Sequence, residues 1–283
     1  MRRSICLALV IGLAAAPAAA QSVPSSAGLP SPEEIANRDG FTLALGAGMA
    51  PDYEGSDDYR LIPAGGVRGR YRGISFYSRG LYLYADVVPS SGAKVEFNAG
   101  PIIGVRLNRT RKVKDDFVDL LPERKAAFEI GGFAGISLKG LTNPYDSLSL
   151  QLDAVHNFGK AHKSTVVRPS LNFSTPLSRQ TFVSAGVGME FVSNRYADYY
   201  YAISPAEALV SGLSAYNGDG GMKDWNANLL VGQSLSGDLL HGLGLFGLVN
   251  YSHLVGDFKR SPIVRDRGSA SQWLFAAGLT YTW

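Results

Sequence analysis

Long stretches of this chain place an apolar residue at every second position, and no stretch after the first twenty residues is apolar for long enough to cross a membrane as a helix, which takes roughly 20 residues. In residues 94–107, Val95, Phe97, Ala99, Ile103, Val105 and Leu107 share one face, against Lys94, Glu96, Asn98, Gly100 and Arg106 on the other. Leu148, Leu150, Leu152 and Ala154 oppose Ser149, Gln151, Asp153 and Asn157; Val167, Leu171 and Phe173 oppose Arg168, Ser170, Asn172 and Ser174. Val183, Val187, Met189 and Phe191 oppose Ser184, Gly186, Gly188 and Glu190. In the final segment Trp273, Phe275, Ala277, Leu279, Tyr281 and Trp283 oppose Gln272, Gly278, Thr280 and Thr282.

Alternation alone does not tell inside from outside, because a soluble sandwich alternates too. Length separates the two. These segments run to about 10–14 residues, against the usual 5–6 of a globular strand, and match a tilted membrane span. In hydrocarbon every backbone amide must be satisfied internally, so strands cross only as a closed barrel. The expected fold is therefore all-β, a closed antiparallel transmembrane barrel. Aromatic residues near segment ends, Phe41, Tyr71, Trp225, Tyr251 and Tyr281, fit interfacial girdles.

Twelve strands are expected, near 40–49, 61–71, 73–77, 80–87, 93–107, 126–139, 146–158, 164–175, 180–193, 224–235, 242–254 and 271–283, with both ends of the barrel chain in the periplasm. Residues 51–60, 108–125, 194–223 and 255–270 then form long outer loops, and Arg72 with Gly73, 89–92, 140–145, 176–178 and 236–241 form inner turns. The uncertain junction is Ser78 and Arg79: one strand over 73–87 breaks the parity and makes ten strands the alternative. Pro101 is expected to distort its ladder locally. Lumen-facing charges are expected at Arg68, Arg70, Lys94, Glu96, Arg106, Glu129, Lys139, Asp153, Arg168 and Glu190.

The N-terminus reads as an export signal over residues 1–20: Arg2 and Arg3, an apolar run from Ile5 to Ala16, then small residues, with cleavage between Ala20 and Gln21. Residues 21–39, rich in Pro, Ser and Ala, read as a flexible periplasmic leader, and 40–283 as the barrel. The one cysteine, Cys6, lies in the signal, so the mature chain has no thiol chemistry. Net charge is +3, and 3 − 2 = +1 without Arg2 and Arg3, which argues against nucleic acid as a partner. The composition of 33 Gly, 14 Tyr and 13 Phe suits packed strands.

The last strand carries an alternating pattern ending in an aromatic residue, at Phe275, Leu279, Tyr281 and Trp283, and is expected to serve as the signal read by the outer-membrane assembly machinery. Four carboxylates, Asp52, Glu54, Asp57 and Asp58, share one loop; they do not match the EF-hand spacing and fit a solvated loop better than calcium. Arg109, Arg111, Lys112 and Lys114 form a basic run that can meet lipopolysaccharide phosphates, although Asp115, Asp116 and Asp119 offset its field. Ser204-Pro205-Ala206-Glu207 is a capping box with Pro at the first helical position and a stop at Gly212, so a short helix is expected there. Among His156, His162, His241 and His253, none adjoins a serine and a carboxylate by sequence. His253 comes nearest, beside Ser252 and close to Asp257, but strand neighbours point to opposite faces. No cofactor or metal motif is present.

Three segments carry a family resemblance: Pro51-Asp52-Tyr53-Glu54-Gly55-Ser56-Asp57-Asp58-Tyr59; Tyr200-Tyr201-Ala202-Ile203-Ser204-Pro205-Ala206-Glu207-Ala208 with Ser211-Gly212-Leu213; and Ser261-Pro262-Ile263-Val264-Arg265-Asp266-Arg267-Gly268-Ser269. On these the chain resembles the MipA/OmpV family of outer-membrane proteins, the MltA-interacting proteins. It departs at Tyr201, where the family commonly has Phe-Gly, and in its terminal Trp283. The resemblance implies a non-enzymatic scaffold linking a lytic transglycosylase to a penicillin-binding protein; other members are described as surface antigens or adhesins. It brings no catalytic or ligand residues. The alternatives are a small channel and, further off, a lipid hydrolase using Ser252 and His253. Outer-membrane lipid and lipopolysaccharide are the expected surroundings. A membrane barrel should extract with outer membranes and migrate differently on gels before and after boiling; a soluble chain with no such shift would overturn the placement.

Overall fold

Alternation dictates the architecture. In the computed structural model, which describes residues 38–283, twelve antiparallel strands close on themselves in sequence order, β1 pairing with β12. They are β1 (Gly40–Pro51), β2 (Tyr59–Tyr71), β3 (Ile74–Arg79), β4 (Tyr82–Asp86), β5 (Val95–Arg106), β6 (Ala127–Lys139), β7 (Ser147–Asn157), β8 (Thr165–Pro176), β9 (Thr181–Val192), β10 (Gly221–Ser234), β11 (Gly242–Leu254) and β12 (Ser271–Thr282). The expected signal and leader, including Ala20 and Gln21, lie outside the described residues.

The apolar faces point outward. Leu61 is 76% exposed and Phe128 68% exposed, an arrangement that water would not tolerate around a whole barrel and that lipid requires. Aromatic girdles ring both ends: Trp225, Tyr251 and Trp273 pack at the long-loop end, with ring centroids 5.3 and 4.7 Å apart. Phe41 and Trp283 pack at the short-turn end, 5.3 Å apart.

The junction expected at Ser78 and Arg79 lies two residues later. β3 continues through Arg79, and Gly80, at φ 55°, turns the chain with Leu81. This hairpin is short. β2 pairs with β3 only from Arg68 to Tyr71, so among the described residues no strand pairs with that edge of β2 from Tyr59 to Val67. The loop after β5 covers part of that edge: Lys114 Nζ donates to Tyr59 O at 2.6 Å and Arg60 Nη2 to Lys112 O at 3.3 Å. Pro101 leaves the β5–β6 register unbroken, opposite Gly132, but on its other side the β4–β5 ladder stops at Ile102, beside Pro101, although β4 runs on to Asp86.

Four helices sit in the long loops: α1 (Asn194–Tyr200), α2 (Pro205–Ser211), α3 (Gly256–Arg260) and α4 (Pro262–Arg265). The expected helix is α2, with both capping-box bonds formed and Gly212 closing it at φ 72°. α1 has no side-chain cap; burial of Tyr196, Ala197 and Tyr200 holds it instead. At the short-turn end Asp146 is buried and accepts from the amides of Leu141, Thr142 and Asn143, which outweighs burial and brings its pKa down to about 2.

The closing seam depends on glycine. On the lumen face Gly46 pairs with Gly278, and an added Cβ would fall 2.0 Å from Ala277 O or 2.2 Å from Leu45 O, respectively. Gly247, on the lipid face, has open space within 4 Å. Gly278→Val should therefore sharply reduce the yield of heat-modifiable folded barrel, whereas Gly247→Val should fold as well as the parent; equal folding of both would contradict the seam.

The capped lumen and its ion-pair lattice

Charged residues that alternate into a lumen must find partners there or water. On the long-loop side they find each other. Arg106 Nη1 lies 3.0 Å from Glu54 Oε1 and 3.3 Å from Glu190 Oε1, while its Nε lies 3.3 Å from Glu129 Oε1. Arg168 bridges Glu190 at 2.9 Å and Glu129 at 3.4 Å. Lys223 Nζ reaches Glu190 at 2.7 Å and both Glu54 and Asp224 at 3.2 Å. Three cations face four carboxylates, 3 − 4 = −1, before any charge on His162 is counted. Tyr82 donates to Glu129 at 2.6 Å, and the Arg168 guanidinium lies 4.3 Å from the Tyr82 ring centroid.

The loops close over this lattice. Tyr196 and Tyr201 both donate to Glu54 Oε2, at 3.0 and 3.1 Å, and the Arg106 guanidinium lies 5.2 Å from the Tyr196 ring. Tyr201 packs on Phe258 at 5.1 Å, and Ser261 Oγ donates to Tyr201 O at 2.6 Å. Tyr53 donates to the carbonyls of Ile263 and Arg267, each at 3.2 Å. These residues, with Val118, Leu121, Ile203, Leu213 and Val264, form a buried apolar cap above the lattice. The three segments that carry the family resemblance thus meet in one packed unit.

Of the charges expected in the lumen, Arg106, Glu129, Arg168 and Glu190 are the lattice. Asp153 accepts from Tyr84 at 2.7 Å below it, and Glu96 pairs with Lys139 at 2.5 Å near the short-turn end. Arg68 and Arg70 face the lumen opposite Thr42 and Gly40, with no ion pair among the described residues. Lys94 is exposed just before β5. Phe275, Leu279, Tyr281 and Trp283 face outward on β12 and at its end. Below the lattice Ser170, Asn172, Asn226, Asn228 and Asn250 are only half-buried, so water enters on the β8–β11 side of the lumen, whereas Tyr84, Phe133, Gln151 and Asp153 on β4, β6 and β7 are buried, with Tyr77 stacked on Tyr84 at 4.9 Å.

Glu54, His162, Lys223 and Asp224 were not foreseen as lattice members. Glu54 sits in a loop where alternation carries no information, and β10 starts at Gly221 rather than 224, which brings Lys223 and Asp224 into the barrel wall. The loop carboxylates do not form a cluster: Asp52 pairs with Arg60 and accepts from Lys114 N, while Glu54 turns inward.

His162 corrects the sequence reading. Its Nε2 contacts Glu129 at 2.8 Å and its Nδ1 contacts Ser164 Oγ at 2.7 Å, a serine–histidine–carboxylate chain that spacing did not show. All three residues are buried, and Tyr196 and Tyr200 cover the imidazole at 5.1 and 5.8 Å, so the serine has no open approach. Ser252 and His253 face opposite sides: Ser252 pairs with lumen-facing Gln272, His253 with Ser271 beside the outer girdle.

A closed barrel with a lipid-compatible belt, two girdles and a charged lumen defines a bacterial outer-membrane β-barrel protein. The family described as "MltA-interacting protein MipA" matches residues 43–283, and the chain belongs to that family. No curated protein matches the chain. Among solved structures it is similar to an outer-membrane channel from Pseudomonas putida F1, at 9% identity and TM-score 0.42, covering 93% of this chain and 100% of that one. It is also similar to the Pseudomonas putida toluene transporter TodX, at 10% identity and TM-score 0.39, covering 89% and 91%. A loop-deleted OmpT of Vibrio cholerae matches at 7% identity and TM-score 0.36, covering 87% and 98%. At such scores nothing about lumen or ligand carries across.

Arg106→Met would leave three carboxylates facing each other and should cost about 3–5 kcal/mol, read as faster hydrogen exchange and proteolysis of residues 194–216; unchanged protection would count against the lattice. Burial alone would raise the Glu54 pKa, but Lys223 and Arg106 hold it below the usual range, although its side chain is still 28% exposed and partly screened. Its contribution is therefore present above the unfolded pKa of about 4.3 and is lost as pH falls through the lower folded value. Protection of the cap should hold at pH 5 and fade only in stronger acid.

Proposed function

We propose that the protein is a non-enzymatic outer-membrane scaffold that engages murein enzymes. The observation that carries this reading is the sealed long-loop end: lattice and cap leave the barrel surfaces to present but no straight path to conduct. The family is described as MltA-interacting, and the resemblance of the loop segments implies a lytic transglycosylase as partner, with a bifunctional penicillin-binding protein as the second enzyme to be linked. With long loops outward, the inner turns face the murein side. Crosslinking in intact cells followed by purification of the full chain should recover a lytic transglycosylase; recovery of barrel-assembly components and lipoproteins without any murein enzyme would refute the scaffold.

A channel is the second reading, favoured by the half-buried polar residues below the lattice and by Arg68 and Arg70. A 12-strand barrel is narrow enough for such a cap to control it, whereas water-filled porins have about 16 or more strands. In planar bilayers the native chain should show no steady conductance, and Arg106→Met should show intermittent openings. Stable native conductance would favour the channel over the scaffold.

A further inference from the structure

The aromatic girdle at the short-turn end is concave at one place. Phe41, Tyr71, Phe76 and Trp283, with Asp39 and Arg70 at the edge, line an open cleft of about 600 Å³, within the range of about 300–1,000 Å³ usual for small-ligand sites. It lies across β1, β2 and β3 where the seam of β1 with β12 ends. Glycine makes the room. Gly69 stands between Phe41 and Phe76 in the ladder, and an added Cβ there would fall 2.5 Å from the Phe76 ring. The rings of Phe41 and Phe76 therefore come to 6.0 Å of each other across bare backbone, and Trp283 packs on the other side of Phe41 at 5.3 Å.

A girdle alone needs no charge, yet this cleft has cations on its water-side edge. Arg70 lines it beside Gly40, its partner across the ladder, which has no side chain to stand between the guanidinium and the rings. Arg72 is exposed one residue past Tyr71, its guanidinium 5.1 Å from the Tyr71 ring. Neither guanidinium has an ion pair among the described residues. Asp39 accepts from the Arg72 amide at 2.9 Å, and Arg38 contacts His241, so two guanidiniums against one carboxylate leave the edge cationic.

The lipid side of the cleft is thus apolar and its water side positive. With short turns on the periplasmic side, this girdle sits at the inner leaflet, where phospholipids present acyl chains and phosphate at the same boundary. Lipid is already against the wall there. Guanidinium forks match phosphate oxygens in geometry and charge, which a neutral head group does not offer.

We propose that the cleft is a binding site for one inner-leaflet phospholipid, its phosphate between Arg70 and Arg72 and an acyl chain laid over Phe41, Phe76 and Trp283. Bound there, the lipid touches β1, β2 and the last residue, so it fastens the closing seam from outside at its short-turn end. This site stands independently of the scaffold reading.

The test uses the full chain, folded in detergent and freed of lipid, with Trp225→Phe and Trp273→Phe so that Trp283 is its one tryptophan. Brominated phosphatidylglycerol is titrated in, beside brominated diacylglycerol, which carries the same chains without the phosphate. Phosphatidylglycerol should quench Trp283 saturably at about one lipid per chain, and diacylglycerol should need about tenfold more or beyond. Arg70→Gln combined with Arg72→Gln should weaken phosphatidylglycerol by a similar factor, while Arg68→Gln, two residues further into the lumen, should leave it unchanged. Equal quenching by both lipids would mean plain girdle contact and would overturn the site. So would lipid retention without quenching of Trp283, or equal binding by the double variant. Light scattering checks the other occupant: a lipid-free dimer whose Trp283 phosphatidylglycerol does not reach would assign the cleft to a second copy and overturn the lipid site. If the double variant fails the heat-modifiability check, the comparison of the two lipids on the parent decides the question.

Discussion

The Arg106 guanidinium, held between Glu54, Glu129 and Glu190, is the contact on which the upper half of this barrel depends. Glu129 and Glu190 come from the wall, and Glu54 comes from a loop. One side chain therefore fastens the cap to the barrel. Such buried lattices add little stability over an apolar filling of equal volume, since desolvation offsets most of the Coulombic gain. Their value is arrangement: Arg168 has its counter-ions only when the wall register is right, Arg106 and Lys223 complete theirs with Glu54 only when the loop path is right as well, and a cap in another position would take Glu54 from them.

Lipid imposes the rest. With apolar residues turned outward, the lumen must take the polar set, and twelve strands enclose too little space to leave that set fully hydrated. Side chains near the long-loop end therefore fill the bore with ion pairs, and tyrosines supply both hydroxyl donors to the carboxylates and apolar faces for the cap. Below it the lumen is uneven: Ser and Asn on β8, β10 and β11 are half-buried and leave room for water, while Tyr77, Tyr84 and Phe133 on β3, β4 and β6 pack together and Glu96 pairs with Lys139.

Much of the wall was legible because period-two alternation is a local signal: Arg106, Glu129, Arg168 and Glu190 fall on the lumen face by counting alone. Their partners were not. Glu54 and His162 lie in loops, where facing is decided by distant contacts, and His162 reaches Glu129 only because β6 and β7 pair in the observed register. Among the loop helices, α2 announces itself through Ser204, Glu207 and Gly212, which act within one turn of backbone. α1 carries no capping bond and exists because Tyr196 and Tyr200 are buried against the lattice, a tertiary cause invisible along the chain. The misplaced β3 turn is the opposite case, a local signal passed over: Gly80, not Ser78, can adopt the positive φ that the hairpin requires.

The central claim is that the long-loop end is closed while the lumen beneath it is wet. Asn228, half-buried on the lumen face of β10, reports on both. With Cys6 as the chain's one natural cysteine, Asn228→Cys can be placed in a Cys6→Ser background and exposed to a membrane-impermeant thiol reagent. The account predicts no labelling from outside intact cells and prompt labelling once the periplasmic side is opened; rapid labelling of intact cells would contradict it.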